Sequence, residues 1–86
     1  MLERRVKVAI PDGLHARPAA LFVQLAGAQQ VKVTIGRDGG DQVATDSILE
    51  VMTLGAVFGD EVLLQAEDDG AAAALAVLAE YLATSA

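Results

Sequence analysis

Three short segments of this chain alternate between apolar and polar or small residues, and this pattern constrains the fold more than any other feature. In the first segment the apolar positions are Val6, Val8 and Ile10, and charged or small residues lie between them. Because successive side chains of a strand point to opposite faces, each segment is predicted to be a strand that buries only one face. The segments are residues 5–10, 31–35 and 61–66.

Segments with helical spacing separate these strands. Their apolar residues recur three and four positions apart, as expected for helices that bury one face. Gly27 and Gly55 are predicted to end the first two helices. The glycine-dense residues 36–40 are expected to return the chain into a further strand at residues 41–44, which gives a β-hairpin. The predicted helices cover residues 16–28, 48–54 and 71–83.

The predicted order of elements is therefore β-α-β-β-α-β-α. Strands with a single apolar face need cover on one side only, so the economical packing places all the helices on that side. We expect an α+β open-faced sandwich, in which three helices cover one face of a four-stranded, mostly antiparallel sheet. A chain of 86 residues has room for one core, so residues 1–86 are expected to form a single domain.

Composition argues against several classes of function. The chain has no cysteine, which excludes disulfides, a thiolate nucleophile and a Cys-ligated metal site. The net charge is -6, and no basic cluster accompanies aromatic residues, so nucleic acid is not an expected partner. The N-terminus lacks the apolar core of a secretory signal, and the longest run of small apolar residues, 71–79, is too short to span a bilayer. We expect a cytoplasmic protein without membrane insertion, and no metal or other cofactor.

The only histidine of the chain lies in the stretch GLHARPAA, residues 13–20, between the first predicted strand and the first predicted helix. Gly13 permits a turn that few side chains allow. Pro18 stands where a proline is tolerated, within the first turn of the helix. His15 is therefore expected at the N-cap position, next to the free N–H groups that begin a helix.

An imidazole at this position suits phosphate chemistry. The N–H groups of Ala16 and Arg17, with Ala19 as a third candidate, would lie at the positive end of the helix dipole, where anions bind. The guanidinium of Arg17 has forked donors that match phosphate oxygens. An unprotonated imidazole nitrogen can take up a phosphoryl group and release it again. The same residues also suit an ordinary helix cap beside a solvated arginine, and residue chemistry alone leaves both interpretations open.

The stretch GLHARPA resembles the active-site signature of the histidine-containing phosphocarrier family, HPr, of the bacterial phosphoenolpyruvate-dependent sugar phosphotransferase system. A second stretch, DSILEVMTLGA at residues 46–56, resembles the other signature of that family, which runs from a serine through a short apolar helix to Leu-Gly. The spacing of the two stretches, the chain length and the predicted element order agree as well. The resemblance therefore covers the whole chain, and two motifs in register are far more specific than one.

This resemblance implies that phosphorylated enzyme I, with phosphoenolpyruvate as the ultimate donor, phosphorylates His15 on Nδ1. The phosphoryl group would then pass to the IIA domains of sugar transporters. The backbone N–H groups of Ala16 and Arg17 would hold the group, and the Arg17 side chain would neutralise its charge. The protein would be a carrier rather than an enzyme, and we expect it to be a monomer. The docking patch of the family maps onto four apolar residues between the first two helices: Ala20, Ile48, Leu49 and Met52.

Ser47 matches the serine that an ATP-dependent HPr kinase phosphorylates in many Gram-positive relatives. From the residues alone, Ser47 is expected to cap the second helix, with Glu50 completing a capping box. Asp46 and Glu50 depart from the family, which often has a basic residue at the first position and lysine or glycine at the second. Gln24 and Gly27 stand where well-studied relatives have lysines, so docking is expected to depend more on apolar contact than on charge.

A second function stays open at this point. The chain could be an HPr-like regulatory paralogue that acts mainly by binding, in a nitrogen-related or dihydroxyacetone phosphotransfer branch. The presence of His15 argues against relatives that have lost the carrier function, but it does not choose the branch. A hydrolase built on Ser47, His15 and an aspartate is not favoured, because nothing in the sequence supplies an oxyanion hole or a nucleophile elbow.

Overall fold

The elements of the computed structural model, which describes residues 1–37 and 39–84, follow the predicted order. In chain order they are β1 (Leu2–Lys7), α1 (Ala16–Gly27), β2 (Thr34–Arg37), β3 (Val43–Ala44), α2 (Ile48–Thr53), β4 (Glu61–Ala66) and α3 (Ala72–Ala83). The strands form one four-stranded sheet in the order β1-β4-β2-β3, and each pair of neighbours in the described chain is antiparallel. The α+β open-faced sandwich is confirmed.

The apolar face of the sheet forms the core together with the helices. In β4 the predicted alternation is complete, since Val62, Leu64 and Ala66 are buried while the other three residues of the strand are exposed or half-buried. Ile35 of β2 lies opposite Leu64 in the ladder and is equally buried. These side chains belong to one apolar cluster with Phe22 of α1 and Leu78 of α3. Burial of this one face is the main stabilising contribution, at roughly 25 cal/mol for each Å² of apolar surface removed from water.

The strand boundaries differ from those expected. β1 begins earlier than predicted and ends at Lys7 rather than Ile10, because its ladder with β4 ends there. The amide of Val8 instead donates to the carbonyl oxygen of Asp60, 2.8 Å away. Val8 and Ile10 are nevertheless buried, so the predicted strand and its buried face are right although the predicted bounds are not.

β2 and β3 are also displaced from their predicted positions. β2 starts at Thr34, after the predicted start at residue 31, and β3 contains only Val43 and Ala44. Val33 lies just outside β2, and its carbonyl oxygen accepts hydrogen bonds from the amide of Thr45 at 3.3 Å and from Oγ1 of Thr45 at 2.8 Å. The side-chain bond satisfies the buried Thr45 hydroxyl where the backbone ladder has ended.

The first two helices end at or close to the glycines that were predicted to end them. α1 ends at Gly27 and has Ala28 as its C-cap. α2 ends at Thr53, with Leu54 as its C-cap, and Gly55 follows in the left-handed region with φ 64°. This conformation lacks a steric penalty only for glycine, which explains why Gly55 ends the helix as predicted.

Tyr81 of α3 ties that helix to the first turn of α1. Its hydroxyl donates a hydrogen bond of 2.8 Å to the carbonyl oxygen of Pro18, and its ring centroid lies 6.0 Å from that of Phe22. Burial raises the pKa of the Tyr81 phenol, which favours the protonated hydroxyl that this bond requires. The contact therefore fixes α3 against the segment that follows His15.

We expect Tyr81→Phe to lower the free energy of unfolding by about 1 kcal/mol, because it leaves the Pro18 carbonyl without this partner. Urea denaturation followed by circular dichroism measures the change. Thr84→Ala is the control, since it removes an exposed hydroxyl bond to the carbonyl oxygen of Glu80. The control should change stability by less than about 0.5 kcal/mol, and equal effects of the two variants would contradict the assigned role of Tyr81.

Candidate functional site

His15 lies where the chain passes from extended to helical backbone. It is the N-cap residue of α1, with φ -115° and ψ 151°, and its side chain is exposed. Its imidazole makes no capping hydrogen bond to a described amide of the helix. The ring is thus not engaged in stabilising the helix and is available to another molecule.

Ala16, the first residue of α1, has an unusual backbone conformation. Its φ of 44° makes it the one non-glycine residue in the left-handed region among the described residues. For an alanine this conformation costs on the order of 1 kcal/mol. Such conformations persist where the surrounding contacts fix them, and they cluster at functional sites.

The first turn of α1 presents two amides rather than three. The amides of Ala16 and Arg17 have no carbonyl oxygen of the helix four residues before them, as expected for the start of a helix. The sequence offered the Ala19 amide as a third free donor. That amide is not free, because it donates to the carbonyl oxygen of His15 at 3.5 Å. Two amides at the positive end of the helix dipole still form an environment that favours an anion.

The two residues before His15 are anchored to the connection between α2 and β4. Leu14 is 1% exposed, and its amide donates to the carbonyl oxygen of Ala56 at 2.9 Å. Gly13 has φ 67°, and a Cβ at this position would lie only 2.6 Å from the same oxygen. His15 therefore follows a segment whose position a distant part of the chain determines.

Arg17 lines a groove of about 700 Å³ between α1 and α3. Its side chain is exposed, and in the described part of the chain no carboxylate lies within ion-pair distance of its guanidinium. Leu21 and Tyr81 contribute apolar surface to the groove, and Asp12 and Glu80 contribute acidic groups. The guanidinium is thus free to turn towards an anion bound at the start of α1.

The four residues predicted for docking all lie at the surface. Leu49 is 75% exposed, Met52 44% and Ile48 37%, and Ala20 on α1 is exposed as well. Because α1 and α2 pack against each other, these side chains lie on neighbouring helices. We refer to these four residues as the α1–α2 patch. Exposed apolar side chains grouped in this way are typical of a protein interaction surface rather than of a core.

Ser47 caps α2, as predicted, although the capping box is incomplete. Its Oγ accepts a hydrogen bond from the amide of Glu50 at 3.5 Å. The predicted reciprocal bond, from the amide of Ser47 to the carboxylate of Glu50, is not formed. Oε1 of Glu50 instead accepts from the amide of Ala44 at 3.4 Å. The amide of Ser47 has its own partner, the carbonyl oxygen of Ala44. The Glu50 carboxylate therefore connects α2 to β3.

Three features near the site have no clear signature in the sequence. The left-handed backbone of Ala16 is unexpected, because alanine strongly favours right-handed helix. Val57 and Phe58, in the connection that anchors Leu14, are 46% and 61% exposed and were not among the predicted interaction residues. The guanidinium of Arg37 bonds to that same connection from β2, across the fold.

Two further classes of site are not found in the described residues. In residues 1–37 and 39–84, no group of three or more His, Cys, Asp or Glu side chains is placed to hold a metal ion. Over the same residues, no helix has both the length and the apolar character needed to cross a membrane.

Comparison with known proteins accounts for this arrangement. The PTS-HPr family model, described as the phosphorylation site of the HPr component of the phosphotransferase system, matches residues 2–84. This chain belongs to the HPr family. The phosphocarrier protein HPr of Streptomyces coelicolor is 48% identical over 83 residues, which cover 96% of this chain and 89% of that protein. The resemblance noted in the two motifs is thereby confirmed, and the chain is a phosphocarrier-family protein of the phosphotransferase system.

Solved HPr-family structures share the fold closely. The crystal structure of HPr from Bacillus anthracis aligns with a TM-score of 0.88 at 38% identity, over 94% of this chain and 95% of that one. A crystal structure of Crh, a catabolite repression protein of Bacillus subtilis, aligns with a TM-score of 0.72 at 40% identity, over 95% and 93% of the two chains. That Crh structure is described as a dimer with a swapping domain. The HPr fold therefore occurs in both carrier and regulatory relatives.

Proposed function

We propose that this chain accepts a phosphoryl group on His15 from phosphorylated enzyme I, with phosphoenolpyruvate as the ultimate donor, and passes it to the IIA domains of sugar transporters. The observation that carries the proposal is the exposed imidazole at the start of α1, which no capping bond to a described amide engages. The chain is then a covalent carrier and a substrate of its partners rather than a complete enzyme. It acts in the cytoplasm as a single-domain monomer.

The chemistry follows from the start of α1. The electron pair of an unprotonated ring nitrogen, Nδ1 in this proposal, forms the new bond to phosphorus while the bond between phosphorus and its donor breaks. The amides of Ala16 and Arg17 and the dipole of α1 stabilise the negative charge on His15 after transfer. The Arg17 guanidinium adds charge-assisted hydrogen bonds to the phosphoryl oxygens. Transfer to a IIA domain is the same displacement with the imidazole as the leaving group.

Partner binding is assigned to the α1–α2 patch. Its side chains are apolar and exposed, and they lie on the helix that begins at His15 and on its neighbour. The chain has a net charge of -6, so its long-range field would repel an acidic partner rather than attract it. Apolar contact in the patch is therefore expected to supply most of the affinity for enzyme I and the IIA domains.

The decisive experiment uses the full chain, enzyme I and phosphoenolpyruvate. Intact mass spectrometry should show one added phosphoryl group that acid removes, and a IIA domain added afterwards should take that group away. Acid lability matters because phosphohistidine is unstable in acid, whereas phosphoserine survives. A chain that binds enzyme I but gains no phosphoryl group would overturn the carrier function and favour a regulatory paralogue, as in a nitrogen-related or dihydroxyacetone branch.

Ser47 is proposed as a regulatory phosphorylation site for an ATP-dependent HPr kinase. Its half-buried hydroxyl accepts the amide of Glu50 at the start of α2, a position where added negative charge is tolerated. The phosphate would lie directly before Ile48 and Leu49 of the α1–α2 patch. Its charge and hydration would weaken apolar docking there, which would slow transfer to and from His15.

We expect Ser47→Asp to slow phosphorylation by enzyme I roughly tenfold, because it places a charge beside the patch while still capping α2. Ser47→Ala should transfer at the wild-type rate, since it adds no charge. It should lose about 0.5 to 1 kcal/mol of stability through the missing cap. Ser47→Ala should also lack the acid-stable phosphate that HPr kinase and ATP place on the wild type. A wild type without that phosphate would leave Ser47 as a helix cap only.

A further inference from the structure

Arg37, the last residue of β2, holds the connection between α2 and β4 at both of its ends. At the near end, Nε donates to the carbonyl oxygen of Leu54 at 3.3 Å, and Nη2 donates to that of Gly55 at 2.7 Å. At the far end, Nη1 lies 2.9 Å from Oδ2 of Asp60. One planar guanidinium thus uses its forked donors on three separate acceptors. We call Arg37 and Asp60, with the two carbonyl groups, the Arg37 clamp.

Asp60 closes the connection on itself. Its Oδ2 also accepts the amide of Val57 at 2.9 Å, and its own amide donates to the carbonyl oxygen of Val57 at 3.0 Å. The Val57 amide, and with it the Arg37 guanidinium, holds the pKa of the Asp60 carboxyl below its ordinary value. The carboxylate is therefore charged at neutral pH and can pair with the guanidinium.

Arg37 also provides a positive charge at the C-terminal end of α2, where the helix itself has none. The last carbonyl groups of a helix carry partial negative charge and favour a nearby cation. None of the residues in the last turn of α2 is basic. The guanidinium from β2 lies at this end instead, where it bonds to the C-cap residue Leu54 and to Gly55. The clamp thus fixes the end of the helix that carries most of the α1–α2 patch.

The clamped connection is the one on which the segment before His15 rests. Ala56, inside the connection, is fully buried, and its carbonyl oxygen accepts the amide of Leu14. Gly13 approaches so closely that a Cβ there would lie 2.8 Å from Cα of Val57. A shift of residues 54–60 would therefore move the segment before His15 and the end of α2 together.

We propose that Arg37 is a positioning residue for phosphoryl transfer, which holds residues 54–60 and thereby sets the position of His15 relative to the α1–α2 patch. Arg37 contacts neither the phosphoryl group nor the nucleophile. A docked partner binds the patch and must meet His15 at the correct distance, so an error in this spacing lowers the transfer rate. The kinetic part of the proposal rests on the proposed carrier function, whereas the clamp is a property of the unphosphorylated chain.

The test compares Arg37→Ala with Arg4→Ala, which removes an exposed arginine from β1. Hydrogen exchange of the Leu14 amide, followed by NMR well below the melting temperature, reports on the clamp. It should become about tenfold faster in Arg37→Ala and stay unchanged in Arg4→Ala. With enzyme I as the phosphoryl donor, kcat for Arg37→Ala should fall roughly three- to tenfold, with a smaller change in KM. Arg4→Ala should match the wild type in both constants.

Arg37→Lys separates position from charge. A lysine keeps a cation near Asp60, but its ammonium cannot reproduce the fork to both carbonyl groups, so kcat should lie between wild type and Arg37→Ala.

If Arg37→Ala fails to fold, the same two measurements on Arg37→Lys and Asp60→Asn decide the question. A folded variant with wild-type Leu14 exchange, or one with a lower melting temperature but unchanged kcat, would overturn the proposal. Failure of the wild type to accept a phosphoryl group refutes the carrier function, and Leu14 exchange still tests the clamp.

Discussion

His15→Ala should abolish the acid-labile phosphate that enzyme I and phosphoenolpyruvate place on the wild-type chain. The substitution removes the only imidazole, and the chain has no cysteine that could accept the group in its place. The side chain is exposed and makes no capping bond to a described amide, so the free energy of unfolding should change by less than about 0.5 kcal/mol. A complete loss of phosphate would therefore occur in a protein that is otherwise intact.

Intact mass spectrometry before and after acid treatment measures this loss, and thermal melting checks the fold. Arg17→Ala is the graded companion, because it removes the guanidinium but leaves the nucleophile in place. We expect it to slow transfer by roughly 10- to 100-fold and to melt like the wild type. Equal phosphate on His15→Ala and wild type would refute His15 as the acceptor, and a loss of cooperative melting in Arg17→Ala would make Arg17 structural.

The buried faces of the strands could be predicted from the sequence, but the ends of β1, β2 and β3 could not. The alternation in β4 gives both its bounds and its buried face, because β1 pairs with all of β4 and β2 pairs with residues 62–65 on the other side. In the first predicted segment the alternation continues beyond β1 to Ile10, and Val8 and Ile10 are buried as it predicts. The ladder stops at Lys7 because β4 offers no further partner, and that depends on where a distant strand begins. Local periodicity carries no such information.

The site was predictable to the extent that its chemistry is local. The N-cap position of His15 follows from the turn at Gly13 and from Pro18 within the first helical turn, which are features of adjacent residues. The conformation of Ala16 was not predictable, because alanine alone would favour right-handed helix there. The hydrogen bond between Leu14 and Ala56 fixes the chain just before Ala16. This bond joins segments far apart in the sequence, so local residue preferences do not reveal it.

The same distinction explains the capping box and Arg37. Ser47 caps α2 through a bond that spans three residues, and this spacing can be read directly from the sequence. The Glu50 carboxylate bonds to Ala44 instead, because the approach of β3 to α2 offers it a different amide. Arg37 looked like one polar residue of a glycine-rich turn, and only the packing of β2 beside the α2–β4 connection places its guanidinium on three acceptors.

A second large effect is expected at Gly13, where the close approach to the α2–β4 connection is most severe. A Cβ there would lie 2.6 Å from the carbonyl oxygen of Ala56 and 2.8 Å from Cα of Val57, and both are backbone atoms that cannot rotate away. The φ of 67° adds a further cost for any L side chain. We expect Gly13→Ala to lower the free energy of unfolding by about 3 kcal/mol, as measured by urea denaturation.

Two other glycines separate the causes of this loss. Gly39 has φ 79° but no described atom within 4 Å of a built Cβ, so Gly39→Ala should show the conformational cost alone, about 1 kcal/mol. Gly27 is helical and equally unobstructed, so Gly27→Ala should raise stability by up to about 1 kcal/mol through helix propensity.

Because the contact at Gly13 also holds Leu14, Gly13→Ala should slow phosphorylation of His15 even at temperatures where it is fully folded. A Gly13→Ala variant no less stable than Gly39→Ala would mean that the α2–β4 connection yields to the new methyl group, and the segment before His15 would then be far less firmly held than these distances imply.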